Sequence, residues 1–194
     1  MATSEQVLSF WLDEVGPAGW YNASEALDER VRKGFGTAWD EAMEGAHGLW
    51  LTYPSGTLAY IILTDQFPRN MFRGEARAFA SDRQARAAAK VAVGRDWDLT
   101  INGVARQFLY LPLMHSENLI DQDRCVRLVA SRMPGETDTL RHAQAHREVI
   151  RTFGKFPFRN AALGRETQDA EAAWLASGGY GATLRALEVS AATA

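Results

Sequence analysis

The chain has 194 residues, of which 46% are hydrophobic and 23% charged, with a formal net charge of -3. That balance suits a globular chain with a sizeable core and offers no general attraction to nucleic acid or an anionic membrane surface. No run approaches the roughly 18 apolar residues of a membrane span, no basic segment precedes an apolar block at the N-terminus, and the single Cys125 has no internal disulfide partner, so a cytoplasmic protein is expected.

In chain order, Val7, Leu8, Phe10, Trp11 and Leu12 open a first amphipathic helix that breaks at Gly16-Pro17-Ala18-Gly19. Ser24 caps a second helix, with Leu27, Val31, Phe35, Ala38 and Trp39 recurring at three- and four-residue steps. Ser55 is expected to cap a third, over residues 56–66, almost wholly apolar and therefore central, and Pro68 to end it, because the residue before proline is pushed out of the α region. Ser81 caps residues 82–93, with Gly94 as the stop, and Pro112 bends or ends a helix begun near Gly103. Helices over 117–131 and 136–153 follow, separated by Pro134-Gly135, with Ser116 as the cap of the first and Gly154 past the end of the second. Thr167 caps the last clear helix, which Ser177-Gly178-Gly179 closes. The expected architecture is all-α: eight or nine helices in a compact irregular bundle, one domain over residues 1–194.

One local pattern occurs twice: Gln66-Phe67-Pro68-Arg69-Asn70 and Phe156-Pro157-Phe158-Arg159-Asn160, each followed by glycine beside a further arginine (Arg73-Gly74, Gly164-Arg165). A guanidinium and an amide at a corner need several acceptors. They either pin two structural corners or line a polar pocket in which the forks grip a carboxylate or phosphate.

The segments Leu63 to Gly74, Phe108 to Glu117 and Phe153 to Arg165, with Phe10-Trp11 and Leu175 to Gly179, resemble a bacterial family known as a domain of unknown function, DUF924. The resemblance spans about residues 6–180. It implies a helical, tetratricopeptide-like fold and no agreed activity. The 34-residue period of regular tetratricopeptide arrays does not fit this chain.

Six residues, Asp65, Arg69, Asn70, Arg73, Arg159 and Asn160, are the candidate ligand contacts. Asp65, in the last turn of an apolar helix, is expected to pair with Arg69, Arg73 or Arg159. His115 and Glu117 are the candidate acid/base pair, using an imidazole that titrates near neutrality. His142 and His146 share a helix face four residues apart, but Ala143 stands where a metalloprotease motif needs glutamate, so they read as a solvated or interface pair and no metal or cofactor is expected. The six tryptophans read as core, and Cys125 as inert core. Two functions follow: a non-catalytic helical module whose Arg/Asn-lined pocket takes an anionic small molecule or a peptide carboxylate, or a small enzyme using His115 and Glu117 on an anionic substrate. The partner expected is thus a small anion or peptide end, with no nucleic acid and no membrane, and the oligomeric state is left open.

Overall fold

The computed structural model describes residues 2–192, is 77% helix, and has no strand among the described residues. The chain is all-α, as its periodicity and breakers require. It divides into two compact units, Met1–Pro112 and Leu113–Ala194. None of the helices in the described residues is long and apolar enough to cross a membrane.

The first unit is built around an aromatic cluster. Helix Ser4–Leu8, closed by a Thr3/Gln6 capping box, runs into a π-helical turn, Ser9–Val15, that buries Phe10 and Trp11. Ser24 accepts from the Leu27 amide and starts Glu25–Met43, whose Val31, Phe35, Ala38, Trp39 and Ala42 form one buried stripe. The third helix begins one residue before its expected cap: Pro54 occupies the first turn, Tyr53 is the N-cap, and Ser55 lies inside. Residues 56–68 are buried on every face, so this helix is central, as its composition demands. Gly56 is required there, because a Cβ would stand 2.5 Å from the Trp50 carbonyl oxygen.

Pro68 does not end that helix. Pro54–Ile61 passes into a π-helical turn, Ile62–Gln66, and resumes as Phe67–Met71. The Phe67 amide bonds back to the Ile62 carbonyl, and the wider turn makes room for the proline ring. Pro68 has no N–H for the Thr64 carbonyl, and the Ser81 hydroxyl donates to that oxygen instead, at 2.5 Å. Ser81 therefore stands at the start of Asp82–Gly94 without capping it by side chain; its oxygen also accepts from the Trp39 indole at 2.9 Å. The continuation drives Phe67 into the core against Phe35 (4.7 Å), Trp11 (5.5 Å) and Phe10 (5.9 Å). Its full burial contributes roughly 1.5–3 kcal/mol before ring geometry is counted.

The second unit pairs Leu119–Arg132 with Thr137–Phe153, then adds Asp169–Ala176 and Gly179–Ala192. Two expected caps move. Asn118, and not Ser116, receives the first amides of Leu119–Arg132; Ser116 is buried and donates to Asp121. Gln168, and not Thr167, caps Asp169–Ala176, in a box with Glu171. No local signal announces the helix Gly179–Ala192, because Gly178-Gly179 looks like an ending. Both glycines have positive φ and turn the chain directly into a new helix. The core of this unit gathers Val149, Ile150 and Phe156, with Phe153, Trp174 and Tyr180 packed against it.

Candidate functional site

The two Arg-Asn corners sit in different units and are built differently. In the first unit, Asp65 is wholly buried in the π turn. Its Oδ1 lies 3.4 Å from Arg69 Nη1, its Oδ2 accepts from Gln66 Nε2 at 2.5 Å, and its carbonyl accepts from Arg69 Nη1 at 2.5 Å. The pairing expected for Asp65 is thus the one with Arg69. Arg69 Nη2 also lies 2.9 Å from Asp82 Oδ1, and these two carboxylates outweigh burial, raising the guanidinium's pKa. Asn70 Nδ2 donates to Asp28 Oδ1 at 2.8 Å, while Arg73 grips both oxygens of the same carboxylate at 2.9 and 3.0 Å. Asn70 and Arg73 line an open groove of about 730 Å³ with Arg32 and four acids, Glu25, Asp28, Glu29 and Glu75. Acids outnumber arginines there, and Arg69, Asn70 and Arg73 each have an acidic partner.

In the second unit, Gly154, at φ 68°, ends Thr137–Phe153, and Phe156 is extended before the 3-10 turn Pro157–Arg159. Here the proline does mark a corner. Asn160 Nδ2 donates to Glu171 Oε2 (2.8 Å) and more weakly to Thr167 Oγ1 (3.3 Å). Lys155 binds the same Glu171 at 2.9 Å and is the first cause of its depressed pKa. Glu117 is taken on both oxygens: Arg165 donates to Oε2 at 2.7 Å and to Oε1 at 3.0 Å, and the Phe156 amide donates to Oε1 at 2.9 Å. Burial alone would raise this carboxyl, and Arg165 with the amide more than offsets it, so it ionises below its usual range. Glu117 thus fastens the corner to the turn that carries His115.

Arg159 is buried, and its guanidinium stacks 4.5 Å from the centre of the Phe156 ring. Around that ring the fold assembles three histidines and a tyrosine. His146 packs edge-on to Phe156 (5.5 Å) and His115 (6.2 Å), and Tyr180 lies 4.7 Å from His146. The sequence reads His142 and His146 as a solvated or interface pair; both are part-buried, and the second unit brings His146 beside His115. Among the described residues no group of three or more His, Cys, Asp and Glu is placed to hold a metal ion.

The hydrogen bonds fix the tautomers of this cluster. His146 Nδ1 stands 2.8 Å from the His142 carbonyl oxygen, which only accepts, so Nδ1 carries the proton. The Tyr180 hydroxyl lies 3.2 Å from that Nδ1 and 2.6 Å from His142 Nδ1, so it accepts weakly from His146 and donates to His142. Burial first, and then the charge of His115, push His146 down to about 3. The ring is therefore neutral at physiological pH and presents Nε2 as a bare lone pair. Burial likewise raises the Tyr180 phenol and lowers His142. Cys125, pushed up to about 12 by burial, is inert.

Tyr180 is the participant that sequence reasoning missed, since it follows two glycines read as a stop. The spacing of His142 and His146 was visible; what they face was not.

The class that the described residues define is an all-α protein. The chain belongs to the family described as "Bacterial protein of unknown function (DUF924)", which matches residues 7–179. A solved structure, that of the protein of unknown function ATU0120 from Agrobacterium tumefaciens, is similar at 35% identity over 89% of this chain and 96% of that one, with a TM-score of 0.83. No functionally curated protein matches.

Proposed function

We propose that this protein is a helical binding module whose ligand is a small carboxylate or phosphate, or the carboxylate end of a peptide, held at the second corner. The observation that carries the reading is the company of Arg159. It is buried against Phe156 beside His146, in the corner where Arg165 holds the Phe156 carbonyl and Lys155 holds Glu171. Asn160 belongs to the same corner as its positioning amide. Positive and proton-bearing groups dominate, which favours an anion. The Asp65–Arg73 corner enters as the structural counterpart. Acid/base catalysis by His115 with Glu117 has less support, because Glu117 is committed elsewhere. The same reading takes the fold as tetratricopeptide-like and the location as cytoplasmic.

Thermal-shift screening of carboxylates and phosphates at low and moderate salt tests it. A ligand at about 100 times its dissociation constant adds roughly 2.7 kcal/mol. The shift should vanish in a folded Arg159→Gln variant and survive Arg73→Gln. A shift that persists in Arg159→Gln, or no shift from any anion, removes the proposal.

A further inference from the structure

We propose that the first unit holds a binding site of its own, in the pocket between Pro54–Ile61 and Asp82–Gly94, for a small, neutral, largely apolar molecule with one hydroxyl, such as an alkylphenol. The site is independent of the anion reading above, which concerns the other unit.

The pocket begins in the sequence of Asp82–Gly94. Ala85, Ala89 and Ala92 are wholly buried and form the helix's packed stripe. Beside that stripe Gln84, Ala87, Ala88 and Val91 recur at three- and four-residue steps, and the two alanines are too short to fill the space before Tyr60. A hollow of about 280 Å³ results, closed on another side by Leu51 of the 3-10 turn Gly48–Thr52. An apolar cavity of about 150 Å³ takes benzene, so there is room here for a ring with a short substituent. None of the lining residues is charged, and an ion brought there would lose its hydration without a partner, so the occupant is neutral.

Tyr60 supplies the polar demand. It is only 6% exposed, yet its hydroxyl has no hydrogen-bond partner among the described residues, whereas a buried tyrosine ordinarily finds one. Burial raises the phenol's pKa, so the group remains a donor at physiological pH. Gln84 lines the same pocket. Its Nε2 meets only the Met43 sulfur, a weak acceptor, at 3.7 Å, and its carbonyl oxygen has no partner among the described residues. Thr57 asks nothing of a ligand, because its hydroxyl already donates to the Trp50 carbonyl at 3.3 Å. A phenolic donor and an amide acceptor in one apolar hollow match a hydroxyl group, which accepts from the first and donates to the second.

Four probes of one shape test this: 4-methylphenol, toluene, benzoate and benzylammonium, titrated while the methyl NMR signals of Leu51, Ala87, Ala88 and Val91 are followed. The phenol should move these signals and bind on the order of tenfold more tightly than toluene, the effect of one well-placed hydrogen bond. The two ions should leave them in place. Tyr60→Phe removes only an oxygen without a partner, so the thermal midpoint should hold or rise while the phenol's advantage over toluene disappears. Ala87→Leu, at an exposed position, should fill the hollow and abolish binding of both. The proposal is overturned by a phenol that moves none of these methyls, by equal affinities for phenol and toluene, or by a preference that survives Tyr60→Phe. Benzoate binding at these methyls as tightly as the phenol overturns it too. A lowered midpoint in Tyr60→Phe would show the hydroxyl bonded within the fold and refute it by another route. Methyl shifts produced by dilution alone would assign the pocket to a second copy of the chain instead.

Discussion

Phe67 and Phe156 begin the same local phrase, yet the corners they anchor differ in charge and in surroundings. Phe67 is enclosed by Phe10, Trp11 and Phe35, and its Arg69-Asn70 pair is closed by Asp65, Asp82 and Asp28. Phe156 carries a guanidinium on its face and a neutral imidazole at its edge, and its acids bind Arg165, Lys155 and Asn160. The comparison teaches that a Phe-Pro/Arg-Asn corner is a way of turning the chain while burying a ring. What surrounds the arginine then depends on which groups distant segments bring to it.

The sharpest break of this contrast would come from Asp65. If the first corner is structural, Asp65→Ala leaves Arg69 part-buried with one carboxylate fewer and Gln66 without its acceptor. Removing one member of a buried pair costs about 3–5 kcal/mol, read as a lowered urea midpoint with unchanged slope. A loss below about 1 kcal/mol would mean that the corner relaxes easily and that its structural role is overstated. Its counterpart in the second unit is Glu117→Gln. This weakens the Arg165 fork while keeping an oxygen for the Phe156 amide, so a smaller cost, roughly 1.5–3 kcal/mol, is expected. An effect as large as that of Asp65→Ala would show both corners to be equally structural.

Acid offers the next test, specific to the second unit. The folded His146 holds out against protonation until about pH 3, whereas the unfolded ring titrates at its ordinary 6.5. Between these values the unfolded state binds the extra proton, so the full stability present above 6.5 is lost progressively as pH falls. The slope from one such group is about 1.4 kcal/mol per pH unit. His142, also lowered, acts in the same direction. Denaturation between pH 6.5 and 5 should follow this slope in wild type, and His146→Phe should flatten it by about one proton. An unchanged slope would show that His146 titrates normally, and the distinction between the two rings would fail.

The fold was legible wherever one segment's own periodicity decides the outcome: the stripe on Glu25–Met43, the Ser24 cap and the Gly154 stop. It was illegible where a distant group intervenes. Pro68 reads as a breaker because its effect on Thr64 is local, whereas its rescue comes from Ser81, seventeen residues beyond Thr64. Ser81 reads as a cap for the same reason, its hydroxyl being claimed by Thr64 and Trp39, whereas Ser116 yields the cap to Asn118 and bonds Asp121 in the first turn of the same helix. Arg159 and His115 were recognisable as polar residues in need of company. That His142, His146 and Tyr180 supply it follows from packing Gly179–Ala192 onto Thr137–Phe153, and no local pattern encodes that.

The smallest effect expected is also the finest probe of the contrast. Arg73 and Arg165 each form a two-oxygen fork, on Asp28 and Glu117 respectively. The Arg73 side chain is 50% exposed and that of Arg165 only 26%. Water and salt screen the first fork, and ordering a half-exposed arginine offsets part of its attraction, so the Arg73–Asp28 coupling in a double-mutant cycle should be about 0–1 kcal/mol and shrink with salt. Arg165 also donates to the Phe156 carbonyl at 3.0 Å, so its removal unties two acceptors at once and should cost more than that of Arg73. Arg73→Ala should leave anion binding untouched, whereas Arg165→Ala should weaken it by loosening the segment that carries Phe156 and Arg159. Were Arg73→Ala the variant that lost the anion, the open groove of the first unit would be the site, and the roles assigned to the two corners would exchange.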